Sequence, residues 1–125
     1  MKKYHQRNPR RGEIWLAIDR DEKHNGEKSK RIYKDSVQGG TRTCIIVSNN
    51  TGNQYSPNVE VVYTTTQKKA DLPTHFDVYS TPKPSTVLCE EIDTISKTDL
   101  KNCFGSLNPF EIEQLNKCLK ISIGI

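Results

Sequence analysis

Arg42 follows a Gly39-Gly40 bend and precedes an apolar run over residues 44–47, which predicts a buried strand. A rigid sheet edge would therefore hold this arginine. A guanidinium group presents a planar fork of donors that fits phosphate oxygens. Arg42 is thus a candidate for stabilising charge on a phosphate group. An exposed arginine at the end of a strand is the alternative, and the residues alone leave both open.

Amide and aromatic side chains offer a second kind of chemistry. Side-chain amides can read the edges of splayed-out nucleobases, and tyrosine rings can stack on them. The candidates are Gln38, Asn49, Asn53, Gln54 and Gln67 for reading, and Tyr55 and Tyr63 for stacking. Taken singly, each of these residues is better explained as part of a turn or of the surface.

Metal chemistry has little support in the sequence. The four cysteines, Cys44, Cys89, Cys103 and Cys118, lie at least 14 residues apart, whereas zinc ligands usually come in close pairs. We interpret them as reduced thiols that behave as small hydrophobic residues. His75 has the side chain of a general base, but we expect it to have a structural or RNA-contacting role.

Charge is distributed unevenly along the chain. The net charge is +4, and residues 1–34 hold 11 Lys and Arg against 5 Asp and Glu. A basic N-terminal third would attract a polyanion such as RNA. A solvated tail and loop would have the same composition, so charge alone does not decide between the two interpretations.

The elements that position these residues are mainly strands. Apolar and β-branched runs predict strands over residues 13–19, 44–47, 59–65, 76–79 and 86–92. Residues 20–37 predict a long polar loop, residues 48–57 turns, and residues 96–100 one helical turn. Asn108, Pro109 and Glu111 predict the start of a C-terminal helix that ends near Gly124. Short strands followed by one helix favour a compact β-barrel or sheet packed on a helix.

A length of 125 residues suits one domain spanning 1–125, with residues 1–9 as a mobile basic arm. No stretch approaches the roughly 20 apolar residues of a membrane-spanning helix. The basic N-terminus also lacks the apolar stretch of a signal peptide. We therefore expect a cytoplasmic protein that does not associate with membranes.

Several segments, in a consistent order, resemble the MazF/PemK toxins of toxin–antitoxin systems. They are Arg11-Gly12-Glu13-Ile14-Trp15, Gln38-Gly39-Gly40-Thr41-Arg42, Val47-Ser48-Asn49, Tyr55-Ser56-Pro57, Thr64-Thr65-Thr66-Gln67, Leu72-Pro73-Thr74-His75, Glu90-Glu91-Ile92-Asp93-Thr94-Ile95 and Gly105-Ser106-Leu107. The resemblance covers residues 10 to 125. It implies an SH3-like β-barrel with a C-terminal helix, in a homodimer. It also implies metal-independent cleavage of single-stranded RNA at short sequences, no cofactor, and inhibition by a cognate antitoxin, usually acidic, lying across the RNA groove.

The same resemblance assigns site residues. Arg42 and Thr65 match the family's catalytic arginine and threonine, and Glu90 matches an acid that would orient Arg42 or hold a base of the RNA. From side-chain chemistry and position, RNA contacts are expected from Gln38, Gly40, Asn49, Asn53, Gln54 and Gln67. The net-positive loop over 20–37 precedes Arg42, so phosphate contacts are expected from Lys28, Lys30 and Arg31. The chain departs from the family where Val37 replaces an acid, where Thr43 follows Arg42 in place of proline, and in the length of the 20–37 loop.

Two other functions remain as alternatives. Proteins resembling CcdB share the expected fold and inhibit DNA gyrase without cutting nucleic acid, but their characteristic C-terminal ending differs from Lys120 to Ile125 here. A barrel that binds RNA without cutting it would also explain the basic N-terminal third. The pairing of Arg42 with Thr65 favours the nuclease.

Overall fold

The computed structural model describes residues 8–19, 40–67 and 70–125. Within these residues, six strands, two α-helices and one 3-10 turn follow each other along the chain. They are β1 (Glu13–Ile18), β2 (Thr41–Ile46), α1 (Asn50–Tyr55), β3 (Asn58–Thr65), β4 (His75–Val78), β5 (Ser85–Ser96), the 3-10 turn (Lys97–Asp99), β6 (Leu100–Ser106) and α2 (Pro109–Ile123). The predicted loop over 20–37 and most of the predicted arm over 1–9 lie outside the described residues.

The strands form one antiparallel sheet in the order β4-β5-β3-β2-β1-β6. Side chains alternate between its two faces. One face packs against α2, with Ile14, Ile45 and Val62 in its core. On the other face, Cys44, Val61 and Tyr63 belong to a second buried cluster. We call this second surface the open face.

Helix α2 begins as the sequence predicts. The Asn108 side chain accepts a hydrogen bond from the backbone of Glu111, and the Glu111 side chain accepts one from the backbone of Asn108. The same Glu111 carboxylate accepts hydrogen bonds from the backbones of Tyr79 and Ser80. Glu111 therefore caps the helix and also fastens it to the end of β4.

Strand β5 is interrupted where it pairs with β3. Val62 lies opposite Ile92, but the next residue, Tyr63, lies opposite Leu88. Cys89, Glu90 and Glu91 are consequently left without a partner on β3. We call these three residues the β5 bulge; such irregularities re-aim side chains and are common beside active sites.

The structure differs from the sequence-based expectations in three places. Residues 50–55 form α1 instead of turns, because Asn49 caps the helix by accepting from the backbone of Gly52. Strand β6 was not predicted, because at the sheet edge most of its residues are exposed and its sequence lacks an apolar alternation. The end of the predicted mobile arm is packed, since Pro9 is buried and Asn8 accepts a hydrogen bond from the Lys97 ammonium.

The predicted fold class, mainly β with a C-terminal helix, is confirmed. Among the described strands the sheet does not close on itself, since β4 and β6 are its edges. In the described part of the chain, no helix is long and apolar enough to cross a membrane.

Candidate active site

Arg42 lies on the open face, in the second position of β2. Its guanidinium carbon is 4.3 Å from the centre of the Tyr63 ring on β3. Its side chain is 19% exposed. The sequence predicted that a sheet edge holds this arginine, but Arg42 lies near the start of an inner strand, with an aromatic ring beneath it.

Two acids of β5 complete the surroundings of Arg42. Glu91 approaches within 3.6 Å of the guanidinium, and the hydroxyl of Tyr63 donates a hydrogen bond of 2.7 Å to Asp93. Burial raises the pKa of Tyr63, and the hydrogen bond to Asp93 raises it further. The phenol therefore keeps its proton at neutral pH.

Thr65 lies at the end of β3. Cys44 is opposite Tyr63, and continuing this register by two residues sets Arg42 opposite Thr65 on the same face. Thr65 also lines an open cleft of about 420 Å³. Its other lining residues include Gln67, His75, Asp77 and Thr86. Thr65 thus connects the surroundings of Arg42 to the cleft.

Glu90 does not have the position expected from sequence. Its carboxylate lies 2.8 Å from the imidazole Nε2 of His75 and accepts a 2.7 Å hydrogen bond from Thr74. Burial raises the pKa of Glu90, but these hydrogen bonds lower it more, so it lies below its usual range. The expectation that Glu90 orients Arg42 was wrong, because the β5 bulge directs the next acid, Glu91, to the guanidinium.

Comparison with known proteins decides the family. The family model described as PemK-like, MazF-like toxin of type II toxin–antitoxin system matches residues 10–123. The chain belongs to this toxin family. Endoribonuclease MazF of Staphylococcus saprophyticus is 35% identical over 121 residues, covering 93% of this chain and 92% of that protein. The predicted family is therefore confirmed.

Solved structures agree on the fold of the toxin. A mycobacterial endoribonuclease in complex with its cognate antitoxin is 24% identical, with a TM-score of 0.73 over 94% of this chain and 96% of that one. MazF of Deinococcus radiodurans is 13% identical, with a TM-score of 0.71 over 95% of this chain and 99% of that one. At these identities the likeness shows the fold alone.

The family assignment confirms the predicted function: the protein is an endoribonuclease toxin of a type II toxin–antitoxin system. It favours this function over that of a gyrase-binding poison. The family definition also includes a cognate antitoxin. A barrel that only binds RNA is not supported, because the curated relative is named as a nuclease.

The amide candidates of the toxin divide into buried and exposed groups. Asn53 is 1% exposed, and its side-chain amide donates to the Ser48 carbonyl at 2.9 Å. Its predicted contact with RNA was wrong, because this buried side chain holds α1 in place. Asn49 caps α1 from an exposed position, and Gln54 and Gln67 are exposed. Gln67 lies closest to the chemistry, since it lines the cleft beside Thr65.

Gly40 shapes the backbone that leads into β2. Gly40 is buried and has a φ of 86°, a left-handed conformation that glycine adopts without strain. Its carbonyl accepts a hydrogen bond from the backbone of Asp19, which brings the start of β2 against the end of β1. Gln38, Lys28, Lys30 and Arg31 lie outside the described residues, so their RNA contacts stay predictions. Tyr63 cannot stack on a base as expected, because its buried ring is covered by Arg42.

The cysteines of the toxin are mostly interior. Cys44, Cys89 and Cys118 are buried, and Cys103 is exposed on β6. Burial raises the pKa values of Cys44 and Cys89 to about 12, so both stay protonated thiols. Across residues 8–19, 40–67 and 70–125, no group of three or more His, Cys, Asp or Glu side chains is arranged to hold a metal.

Proposed function

We propose that the toxin cuts single-stranded RNA at a short sequence, without a metal ion, on the open face of the sheet. The observation that carries this proposal is the relation of Arg42 to Thr65. Continuing the pairing of Cys44 with Tyr63 by two residues brings Arg42 and Thr65 across from each other at the ends of neighbouring strands, and Thr65 also lines an open polar cleft. A phosphate above this pair would leave a neighbouring nucleotide within reach of the cleft.

RNA supplies its own nucleophile. The 2′-oxygen attacks the adjacent phosphorus and loses its proton to a base, and the bond from phosphorus to the 5′-oxygen breaks as that oxygen takes up a proton. The products are a 2′,3′-cyclic phosphate and a 5′-hydroxyl. Charge accumulates on the non-bridging oxygens of the intermediate phosphorane, so donors fixed in advance at that position accelerate the reaction.

Arg42 and Thr65 supply such donors. The guanidinium of Arg42 offers N–H groups in one plane to the phosphorane oxygens and to the departing 5′-oxygen. The Thr65 hydroxyl accepts a 3.1 Å hydrogen bond from the backbone of Gln67. A hydroxyl that accepts through its oxygen still has its hydrogen to donate, which suits it to a non-bridging phosphate oxygen.

The proton of the 2′-hydroxyl needs an acceptor, and Glu91 suits this part better than Glu90. The Glu91 carboxylate is 46% exposed and lies 3.6 Å from Arg42. Glu90 is already hydrogen-bonded to His75 and Thr74, and its lowered pKa makes it a weaker base. We assign the general base to Glu91 and a structural part to Glu90.

The choice of sequence rests on side chains that border this pair. Gln67, Asn49 and Gln54 have exposed side-chain amides that suit base edges. Gly40 and Gln38 would contact RNA through the segment that leads to Arg42. The basic residues Lys28, Lys30 and Arg31 would bind phosphates, which adds affinity without sequence information.

Two partners besides RNA belong to the proposal. A cognate antitoxin, usually acidic in this family, would cover the open face and compete with RNA. A second copy of the toxin would complete a homodimer; exposed apolar side chains of α2, Ile121 and Ile123, and the exposed edge strand β6 are suited to such a contact. Sedimentation of the purified toxin measures whether it is a homodimer.

The proposed place of action is the cytoplasm, where mRNA is translated, and the proposed unit is one domain over 1–125.

One experiment tests the reaction. The purified toxin is incubated with a transcript in EDTA, and the fragments are analysed for their end groups. We expect cleavage at a short recurring sequence, with 5′-hydroxyl ends and 2′,3′-cyclic phosphates. Activity that disappears in EDTA and returns with Mg²⁺, or fragments with 5′-phosphates, would contradict the proposal.

A further inference from the structure

Tyr63 and Asp93 have no part in the reaction described above, although both lie beside Arg42. We propose that Tyr63 and Asp93 are positioning residues that fix the plane of the Arg42 guanidinium before RNA binds. This inference rests on the proposed function, because it concerns how the proposed catalytic arginine is held.

The first argument is the stacking geometry. The Arg42 guanidinium lies 4.3 Å from the centre of the Tyr63 ring, within the range in which a cation is attracted by the face of an aromatic ring. The Tyr63 side chain is 8% exposed, so its ring is held by the surrounding core. The guanidinium carbon lies over the ring, so the ring limits how far Arg42 can move toward the sheet. A cation–π attraction acts on the charge of the guanidinium, and its N–H groups remain donors for a phosphate.

The second argument is the hydrogen bond behind the ring. The Tyr63 hydroxyl donates to an Asp93 carboxylate oxygen at 2.7 Å. A phenol that donates to a carboxylate gains electron density in its ring, which strengthens the attraction for a cation above it. The same bond joins β3 to β5, so the ring cannot swing away from Arg42 about its Cα–Cβ bond without breaking it.

The third argument is that the remaining contact of Arg42 is weaker. The Glu91 carboxylate approaches the guanidinium at 3.6 Å and is 46% exposed, and exposed ion pairs of this kind contribute little. Glu91 is also the proposed base, so it must be able to accept a proton from RNA. The contact that holds Arg42 in place is consequently the one with Tyr63, whose hydroxyl is hydrogen-bonded to Asp93.

The test compares variants of these residues in steady-state cleavage of one RNA substrate. Tyr63→Leu removes the aromatic face, and we expect kcat to fall about tenfold, as for a partly desolvated cation–π contact. Tyr63→Phe keeps the face and loses the hydrogen bond, and we expect a loss of about threefold. Asp93→Asn keeps an acceptor and loses the charge, so its loss should not exceed that of Tyr63→Leu. KM should stay within about twofold throughout, because positioning acts on the transition state.

The matched control is Glu60→Gln. Glu60 accepts a hydrogen bond from the Thr94 hydroxyl at 2.7 Å, so it is also a carboxylate that joins β3 to β5. It alternates with Val59 and Val61, which places it on the sheet face away from Arg42. We expect this variant to cut RNA at the wild-type rate.

A double-mutant cycle separates positioning from general destabilisation. In an Arg42→Ala background, Tyr63→Leu should cause no further loss of kcat, because the residue it positions is gone. An equal loss in both backgrounds, or a change confined to KM, would overturn the inference. If Tyr63→Leu does not fold, Tyr63→Phe and Asp93→Asn carry the same comparison, and wild-type kcat in both would overturn it.

A readout without RNA keeps this inference distinct from the proposed function. A proton above an aromatic ring is shifted upfield in NMR spectra, so the Arg42 guanidinium protons should be shifted in the wild type and lose that shift in Tyr63→Leu. Absence of the shift in the wild type would overturn the positioning inference. Absence of cleavage by the wild type, with the shift present, would instead overturn the proposed function.

Discussion

The imidazole of His75 is held between two acceptors, with Nε2 2.8 Å from the Glu90 carboxylate and Nδ1 2.9 Å from the carbonyl of Ala70. A carbonyl oxygen can only accept, so Nδ1 is the donor of its hydrogen bond to Ala70. The pair fastens the segment before β4 to the β5 bulge. Both of its members are thereby occupied within the protein and are poorly suited to exchange protons with RNA.

Glu90 and Glu91 are neighbours in the β5 bulge, and we expect their glutamine variants to differ in cleavage rate and in stability. We expect Glu91→Gln to reduce kcat by about 10² or more, since a general base contributes roughly that much. Glu90→Gln should keep most of the activity and lower the melting temperature. Cleavage rates and thermal unfolding of the two variants provide the measurement. Full activity in Glu91→Gln together with a large loss in Glu90→Gln would contradict the assignment of the general base to Glu91.

Arg42→Ala should slow cleavage severely but measurably while the protein stays folded, because the guanidinium acts on charge that develops in the transition state. Loss of such a donor costs about 10²-fold or more in rate. Arg42→Lys should recover little, since an ammonium lacks the planar fork and stacks less well on Tyr63. Single-turnover cleavage, with circular dichroism as the folding control, measures both variants. Near-normal rates for the alanine variant would remove Arg42 from the mechanism.

The attachment of α2 should depend on pH through Glu111. Burial raises the pKa of this carboxyl, but hydrogen bonds from Ser80, Tyr79 and Asn108 lower it below its usual value of 4.5. A lowered pKa in the folded state means that the carboxylate stabilises the fold above about pH 4.5, and that this contribution disappears as pH falls through the lowered value.

Glu111→Gln should therefore reduce the free energy of unfolding by about 1.5–3 kcal/mol at pH 7, as for hydrogen bonds to a charged group. The difference from wild type should shrink at pH 3. Urea unfolding at the two pH values measures it. Glu113→Gln, at an exposed position of the same helix, is the matched control and should change little. A Glu111 effect of equal size at both pH values would show that the charge is not responsible.

The basic segment before Arg42 leads to a prediction from sequence alone. Replacing Lys28, Lys30 and Arg31 together with serine should weaken RNA binding and flatten its dependence on salt, because fewer counterions are released. The cleavage sequence should not change, since phosphate contacts carry no base information. Binding titrations at several salt concentrations and sequencing of the cut ends measure the two effects. A changed cleavage sequence would mean that this segment reads bases.

Local signals in the sequence were enough to predict several of the strands and the C-terminal helix. The Asn108, Pro109 and Glu111 pattern predicted the start of α2 because a capping box depends only on residues three positions apart. The run ending in Thr65 predicted β3 because β-branched residues suit a buried strand. The apolar run after Arg42 likewise predicted β2, although β2 is an inner strand and not a sheet edge.

What sequence could not predict depends on pairing between distant segments. Glu91, and not Glu90, lies beside Arg42 because the register between β3 and β5 shifts between Val62 and Tyr63. No sequence pattern in β5 indicates that this shift occurs there. The sequence predicted that Tyr63 stacks on bases. Its position beneath Arg42 depends on the pairing of β2 with β3, which the sequence does not reveal. The sequence predicted that Asn53 contacts bases of the RNA. Asn53 is buried, however, because it lies in α1, a helix too short to predict from sequence.

The β5 bulge contains a site residue whose side chain is not set by pairing with the next strand. Residues in a regular ladder are constrained by a partner on the next strand, whereas Glu90 and Glu91 have none on β3. Glu90 is held instead by His75 and Thr74, so substitutions there cost stability. Glu91 contacts Arg42 from an exposed position, so a directed-evolution library at Glu91 would vary the catalytic group and leave the strand pairing unchanged.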